Sequence, residues 1–476
     1  MMLKTVIGLE IHTQLLTKTK AFCSCSADHF EAVPNSNICP VCTGQPGSLP
    51  VLNEKSVELA VMAGIAMNGK INLVSKFDRK NYFYPDLTKG YQITQYFLPI
   101  VEKGYLESMG KKIRINRIHM EEDTGKMVHE GEDLSNASES LIDYNRAGVP
   151  LIEIVTEPDI ESPEMARDFM EKLRDILRYA GISSGDMEKG ALRCDANVSL
   201  FDTEKNKGYK KVEIKNINSF KFVEKAIEYE VIRMKKMIED NEEIFQETRR
   251  WDAGEKQTFP MRKKEGEADY RYFPEPDIPP LVITQNFIDE IKAKMPELPE
   301  EKTKRFVIEY GIPEYDAGVL AASKDVADYY ENACKEAGDG KFVSNWIMTE
   351  VLRLLKENND NIEDVKIKPE HFKDLKDIID SGKISTKIAK EIFPIVYETG
   401  KLPSQIVSEK GLEQMDNDDE LIKIAENIVK NNQENAERYK NGKTNLLGFF
   451  VGQLMKETKG KANPQKANEI FKKLLD

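Results

Sequence analysis

The stretch IGLEIHTQL, residues 7–15, alternates strictly in polarity. Ile7, Leu9, Ile11, Thr13 and Leu15 fall on one side of an extended chain, and Gly8, Glu10, His12 and Gln14 on the other. A period of two sustained this long predicts a β-strand with one apolar face. Its other face places a carboxylate beside an imidazole. Three further stretches repeat the pattern. Leu192, Cys194, Ala196, Val198 and Leu200 oppose Arg193, Asp195, Asn197 and Ser199; Val212 and Ile214 oppose Lys211, Glu213 and Lys215; Ile152 and Ile154 oppose Glu153 and Glu157.

An antiparallel sheet with one solvated face produces such alternation without any function. The polar faces here mix acids with His, Arg, Lys and Asn, which shifts the balance modestly toward a site. Glu10 and His12 together suit a divalent cation. His119-Met120-Glu121-Glu122-Asp123 adds three consecutive acids whose mutual repulsion a cation would relieve. A solvated acidic surface accounts for that run equally well, and parity leaves open whether Glu121 or Glu122 faces inward.

Two helices stand out among these strands. Ser162-Pro163-Glu164 supplies a cap, a proline at the first helical position and an early acid, and Met165, Phe169, Leu173, Ile176 and Leu177 follow at helical spacing. A second helix is expected from Ser219 to about Asp240, with Phe222, Val223, Ala226, Ile227, Val231, Met234 and Ile238 on one side. Breakers at residues 274–280 and 296–299 precede a region of helical pattern with little strand signal, and a further joint is expected near 400–418.

Cys23-Ser24-Cys25 and Cys39-Pro40-Val41-Cys42 give two close thiol pairs. Two such pairs joined by a loop supply the four soft ligands of a tetrahedral zinc ion, and a closed four-thiolate set makes it structural rather than catalytic. The bland alternative is ordinary reduced thiols without a metal. No Walker-type G-x-x-x-x-G-K-[ST], nucleophile elbow or kinase signature occurs, so any nucleotide site is of another kind. The net charge of −13 argues against a nucleic-acid binder read whole. From Arg438 to the end, however, nine bases stand against three acids, a local excess suited to a polyanion or simply to a solvated lysine-rich face. Nothing resembles a leader or a spanning segment, so a cytoplasmic protein without membrane attachment is expected.

Several longer motifs carry a family resemblance. Residues 6–12 (VIGLEIH), 77–86 (FDRKNYFYPD) with 90–95 (GYQITQ), 119–126, 150–159 (PLIEIVTEPD), 192–197 (LRCDAN), 213–220 (EIKNINSF) and 269–277 (DYRYFPEPD) are similar to the GatB/GatE family, as is the tail at 441–453. The resemblance covers the chain end to end. It implies an α+β fold: an antiparallel-sheet cradle domain with flanking helices at residues 1–292, an all-α domain at 293–405 and a small YqeY-like all-α tail at 406–476 that contacts tRNA. It further implies ATP- and Mg²⁺-dependent activation of a carboxylate on mischarged tRNA, then amidation by ammonia channelled from an amidase partner, in a heterotrimer completed by a small third protein. Within that chemistry Glu10, His12 and Glu122 are the expected magnesium ligands, with Asp195 and Glu213 behind them or on a second ion. Arg79, Lys80 and Lys215 are expected to neutralise phosphate charge. Tyr82, Tyr84 and Tyr91 are candidates to stack on the adenine of ATP or of the tRNA 3′ end, core packing being the alternative. The rival from another class is a zinc-stabilised, non-catalytic RNA-binding module. It explains the cysteines and the basic tail but not the acidic, His-bearing strand faces.

Overall fold

The computed structural model describes residues 2–129, 139–263, 270–412, 418–458, 462 and 464–475. The chain forms two compact units, Met1–Leu298 and Pro299–Asp476.

In the first unit the alternating stretches form the middle of one large sheet. Its main path runs Gln257–Lys263, Glu247–Asp252, Val212–Ile217, Leu192–Asp202, Leu3–Gln14, Pro150–Thr156, Lys111–Glu122, Tyr91–Thr94, Asp78–Asn81 and Phe273–Pro274. Val101–Ser108 makes a hairpin with Lys111–Glu122. Pairing along this path is antiparallel except where Val212–Ile217 lies parallel to Glu247–Asp252. A parallel pair needs a crossover, and the helix Phe220–Glu239 provides it.

The apolar faces share one core. Ile7, Leu9, Ile11, Ile152, Ile154 and Val198 are fully or almost fully buried and cluster with Phe169, Leu173, Val223 and Ile227 of the two expected helices. Those helices are Pro163–Tyr179 and Phe220–Glu239. Each starts where its cap predicted: Ser162 Oγ accepts from Met165 N at 3.1 Å, and Ser219 Oγ accepts from Phe222 N at 3.2 Å. The unit ends a few residues past 292 because the helix Gln285–Lys294 inserts Ile288 and Ile291 into the same core.

The second unit is helical throughout its described residues, with a π-helical turn at Ile347–Val351. Near its end Leu421, Ala425, Phe450, Leu454 and Phe471 gather into a core of their own. Residues 413–417, inside the joint expected from the sequence, lie outside the described residues. Among the described residues no helix is long and apolar enough to cross a membrane.

Candidate active site and metal centre

Strand register decides which polar side chains meet. His12 pairs with Glu153 on one side and Arg193 on the other, and Glu153 pairs in turn with His119. Directly opposed residues of an antiparallel sheet stand about 5 Å apart at Cβ, so their side chains interact. His12 Nε2 lies 3.2 Å from Glu121 Oε1 and 3.7 Å from Glu153 Oε2, and His119 Nε2 lies 3.0 Å from Glu153 Oε2. His12, Glu121 and Glu153 each offer a ligand atom within 4.8 Å of the others. Among the described residues His119 Nδ1 is buried without a hydrogen-bond partner.

The electrostatics are strong. Burial works against a charged His12, yet Glu121 and Glu153 outweigh it and hold the imidazole up at about 9, with Arg193 opposing. Burial likewise opposes a charged Glu153, but His119, His12 and Lys80 keep its carboxyl well below the usual range. At neutral pH those carboxylates hold a proton on His12, which a divalent cation bound by the three residues would displace.

The other expected residues lie around this group rather than in it. Glu122, expected beside His12, turns away: its carboxylate meets Lys89 Nζ and accepts from Ile93 N at 3.0 Å. Consecutive residues of a strand point to opposite faces, so Glu121 and Glu122 cannot both approach His12. Glu10 shares His12's face, but its carboxylate accepts from Asn197 Nδ2 at 3.0 Å, and its register partner is Asp195. Lys215 bridges Asp195 and Glu213, so its charge is already engaged by two carboxylates. Arg79 is already committed: it clasps Glu275 at 2.7 and 3.0 Å and Asp277 at 3.1 Å, with its guanidinium 4.2 Å over the Tyr91 ring. Lys80 lies 5.1 Å from the Tyr270 ring and 6.0 Å from that of Tyr82. Tyr84 is exposed.

No local signal singles out Glu121, and His119 draws notice in the sequence only as a neighbour of the acidic run. Pairing partners from strands distant in sequence are invisible until register is known. Asp123 was named in the sequence only as a member of the acidic run. It is buried, accepts from Arg193 at 2.8 Å and Gln14 at 2.9 Å, and so ties the ends of three strands together.

The four cysteines converge. Cys23, Cys25, Cys39 and Cys42 place their sulfurs within 4.8 Å of one another. The Cys39–Cys42 Sγ separation is 3.8 Å, the edge of a tetrahedron of sulfurs about 2.3 Å from a central zinc. Cys39 N donates to Cys42 Sγ at 3.2 Å. Cys42 is held down at about 4: a hydrogen bond from Cys23 contributes most, burial opposes it, and the Cys39 N–H and the Lys20 ammonium reinforce it. Lys20, not noticed in the sequence, is fully buried 3.6 Å from Cys42 Sγ, and donates to Asn37 O at 2.8 Å and Tyr144 O at 3.3 Å. The donor set is that of a structural zinc clip. Cys194 and Cys334 are buried elsewhere.

A family model described as the GatB/GatE catalytic domain matches residues 5–289, and one described as the GatB domain matches residues 328–475. The chain belongs to the GatB/GatE family. It is 59% identical over 478 residues to the B subunit of the aspartyl/glutamyl-tRNA(Asn/Gln) amidotransferase of Thermotoga maritima, covering 99% of each chain. The proteins of the same name from Thermosipho melanesiensis and Carboxydothermus hydrogenoformans are 58% and 50% identical, over 100% and 99% of this chain and 100% and 98% of theirs. The GatB/GatE catalytic-domain match contains every residue of the His12 group and all four cysteines. The chain is thus part of an enzyme, not a binding module alone.

Proposed function

We propose that this chain is the B subunit of a tRNA-dependent amidotransferase, which activates the side-chain carboxylate of Glu-tRNA(Gln), Asp-tRNA(Asn) or both with ATP, and completes the amide with ammonia from a glutaminase partner. The observation that carries the reading is the convergence of His12, Glu121 and Glu153 on the polar face of the sheet, inside the catalytic-domain match. The names of the relatives supply the substrate class.

In the reaction a side-chain carboxylate oxygen forms a bond to the γ-phosphorus while the bond to ADP breaks. Ammonia then attacks the acyl carbon of the mixed anhydride, and phosphate leaves. Such a transfer asks the protein for positioning and charge rather than covalent work. His12, Glu121 and Glu153 would hold magnesium, whose charge offsets that of the phosphates. His119 holds one Glu153 oxygen at 3.0 Å and so orients the carboxylate. Glu10, steadied by Asn197, borders the same face. Lys80 is the cation placed to meet a phosphate beside Glu153; Arg79 and Lys215 already have carboxylate partners. The four cysteines would hold zinc as a clip on the segment leading from the first strand. An amidase partner, which releases the ammonia, and a small third protein complete the heterotrimer. The basic tail, with Lys456, Lys472 and Lys473 among the described residues, suits contact with the tRNA body; Lys459 and Lys461 lie outside them.

The test is amidation of mischarged tRNA by this chain together with its amidase and small partners. Conversion that needs ATP, magnesium and all three proteins supports the reading. Conversion unaffected by omitting this chain or ATP refutes it.

A further inference from the structure

Arg193 is the register partner of His12 and shares the polar face of the sheet with it. Burial works against its charge, and Asp123 and Glu121 both support it. A guanidinium beside a carboxylate tends to close a bidentate pair. Such a pair with Glu121 would occupy the oxygens that a metal needs. The pair does not form. Among the described residues the ion pairs of Glu121 are with His12 at 3.2 Å and His119 at 3.9 Å, and that of Arg193 is with Asp123 at 2.8 Å.

Asp123 is fixed where it holds the guanidinium aside. Its carboxylate is almost fully buried. One oxygen accepts from Arg193 Nη2 at 2.8 Å and from Gln14 Nε2 at 2.9 Å. The other accepts from the Thr124 N–H at 2.9 Å, with Arg146 Nε 3.7 Å away. Burial opposes its charge, but Arg193 and Arg146 outweigh that and keep the carboxyl below its usual range. Arg146 is itself tied to Thr124 O at 2.9 Å and Gly125 O at 2.8 Å, so this anchor belongs to the backbone at the end of its strand. Arg193, by contrast, keeps 38% of its side chain exposed and has room to turn once released.

We propose that Asp123 is a positioning residue for the metal group: it draws the Arg193 guanidinium off Glu121 and so keeps the Glu121 oxygens open to magnesium. This rests on the amidotransferase reading for the identity of the metal group. Asp123 acts through Arg193 and not as a ligand.

Metal binding tests this apart from turnover. The assembled amidotransferase, without tRNA or nucleotide, is titrated with Mn²⁺ in place of magnesium, and free Mn²⁺ is read by electron paramagnetic resonance. The His12→Ala complex gives the background. Asp123→Asn keeps the shape of the side chain and removes the charge that holds Arg193. It should raise the half-saturating Mn²⁺ about 10- to 100-fold, the usual cost of losing a residue that orients a metal site. The double variant Asp123→Asn with Arg193→Met lacks the competing cation and should return to within about threefold of wild type. Arg193→Met alone removes a like charge near the metal and should tighten binding about 2- to 10-fold. It is the variant to read if melting curves show that Asp123→Asn does not fold. Half-saturation unmoved by Asp123→Asn overturns the proposal. So does a double variant as weak as the single, or unchanged or weaker binding by Arg193→Met. A wild-type complex whose Mn²⁺ binding does not depend on His12 would instead sink the metal group of the parent reading.

Discussion

His12 and Glu153 face each other across the pairing of Leu3–Gln14 with Pro150–Thr156, and the same Glu153 oxygen that lies 3.7 Å from His12 Nε2 lies 3.0 Å from His119 Nε2. One carboxylate thus joins two imidazoles from strands on either side of it. Any cation held by His12 is tied to the orientation of Glu153, and through it to His119.

Glu121 and its neighbour Glu122 should therefore separate cleanly. Glu121→Gln is expected to raise the magnesium concentration for half-maximal amidation about 10- to 100-fold. Glu122→Gln, whose carboxylate serves Lys89 and the Ile93 N–H, should leave that concentration within about twofold of wild type. Magnesium titrations of both variants decide it, and the reverse ranking would return Glu122 to the metal.

The four-thiolate clip predicts zinc near one equivalent per chain in elemental analysis of protein purified without chelator. Cys42→Ser should lose it. With zinc at roughly 100 to 1,000 times its Kd, the stabilisation withdrawn amounts to about 3–4 kcal/mol, readable as a lowered melting temperature that added zinc restores in wild type but not in the variant. Identical melting with and without zinc would leave the cysteines as plain thiols.

Glu331 provides a pH-dependent case remote from the site. It pairs with Lys302 at 2.9 Å and Arg305 at 2.6 Å. Burial tends to raise its pKa, but the two cations outweigh it and hold the carboxyl below its usual value. A carboxyl depressed in the folded state stabilises above its unfolded pKa and loses that contribution as pH falls through the folded one. Glu331→Gln should cost about 1–3 kcal/mol at neutral pH. The gap from wild type should close in denaturant titrations as the pH drops below the ordinary carboxylate range. A gap independent of pH would show that packing, not charge, explains the loss.

Ile154 is fully buried where the sheet meets its helices. Ile154→Ala should destabilise the first unit by about 2–5 kcal/mol, from lost transfer energy plus the cavity left behind. Denaturant unfolding measures it, and a loss under about 1 kcal/mol would mean that the core collapses around the gap.

Strand identity, the polar face and the metal loop were legible in the residues themselves, because each depends on local spacing. Alternation from Ile7 to Leu15 states which side chains share a face, Ser162 and Ser219 mark helix starts through their own caps, and two thiol pairs announce a soft ligand set. Which strand lies beside which is not a local property. Glu153 meets His12 only because segments far apart in the chain pair in one register, and a slip by one residue would send every side chain to the other face. The same holds for Glu121 over Glu122, for the commitment of Arg79 to Glu275, and for Lys20 buried against Cys42. In each case the partner comes from a distant segment, and only the assembled sheet could decide which charges were free to act and which were already paired.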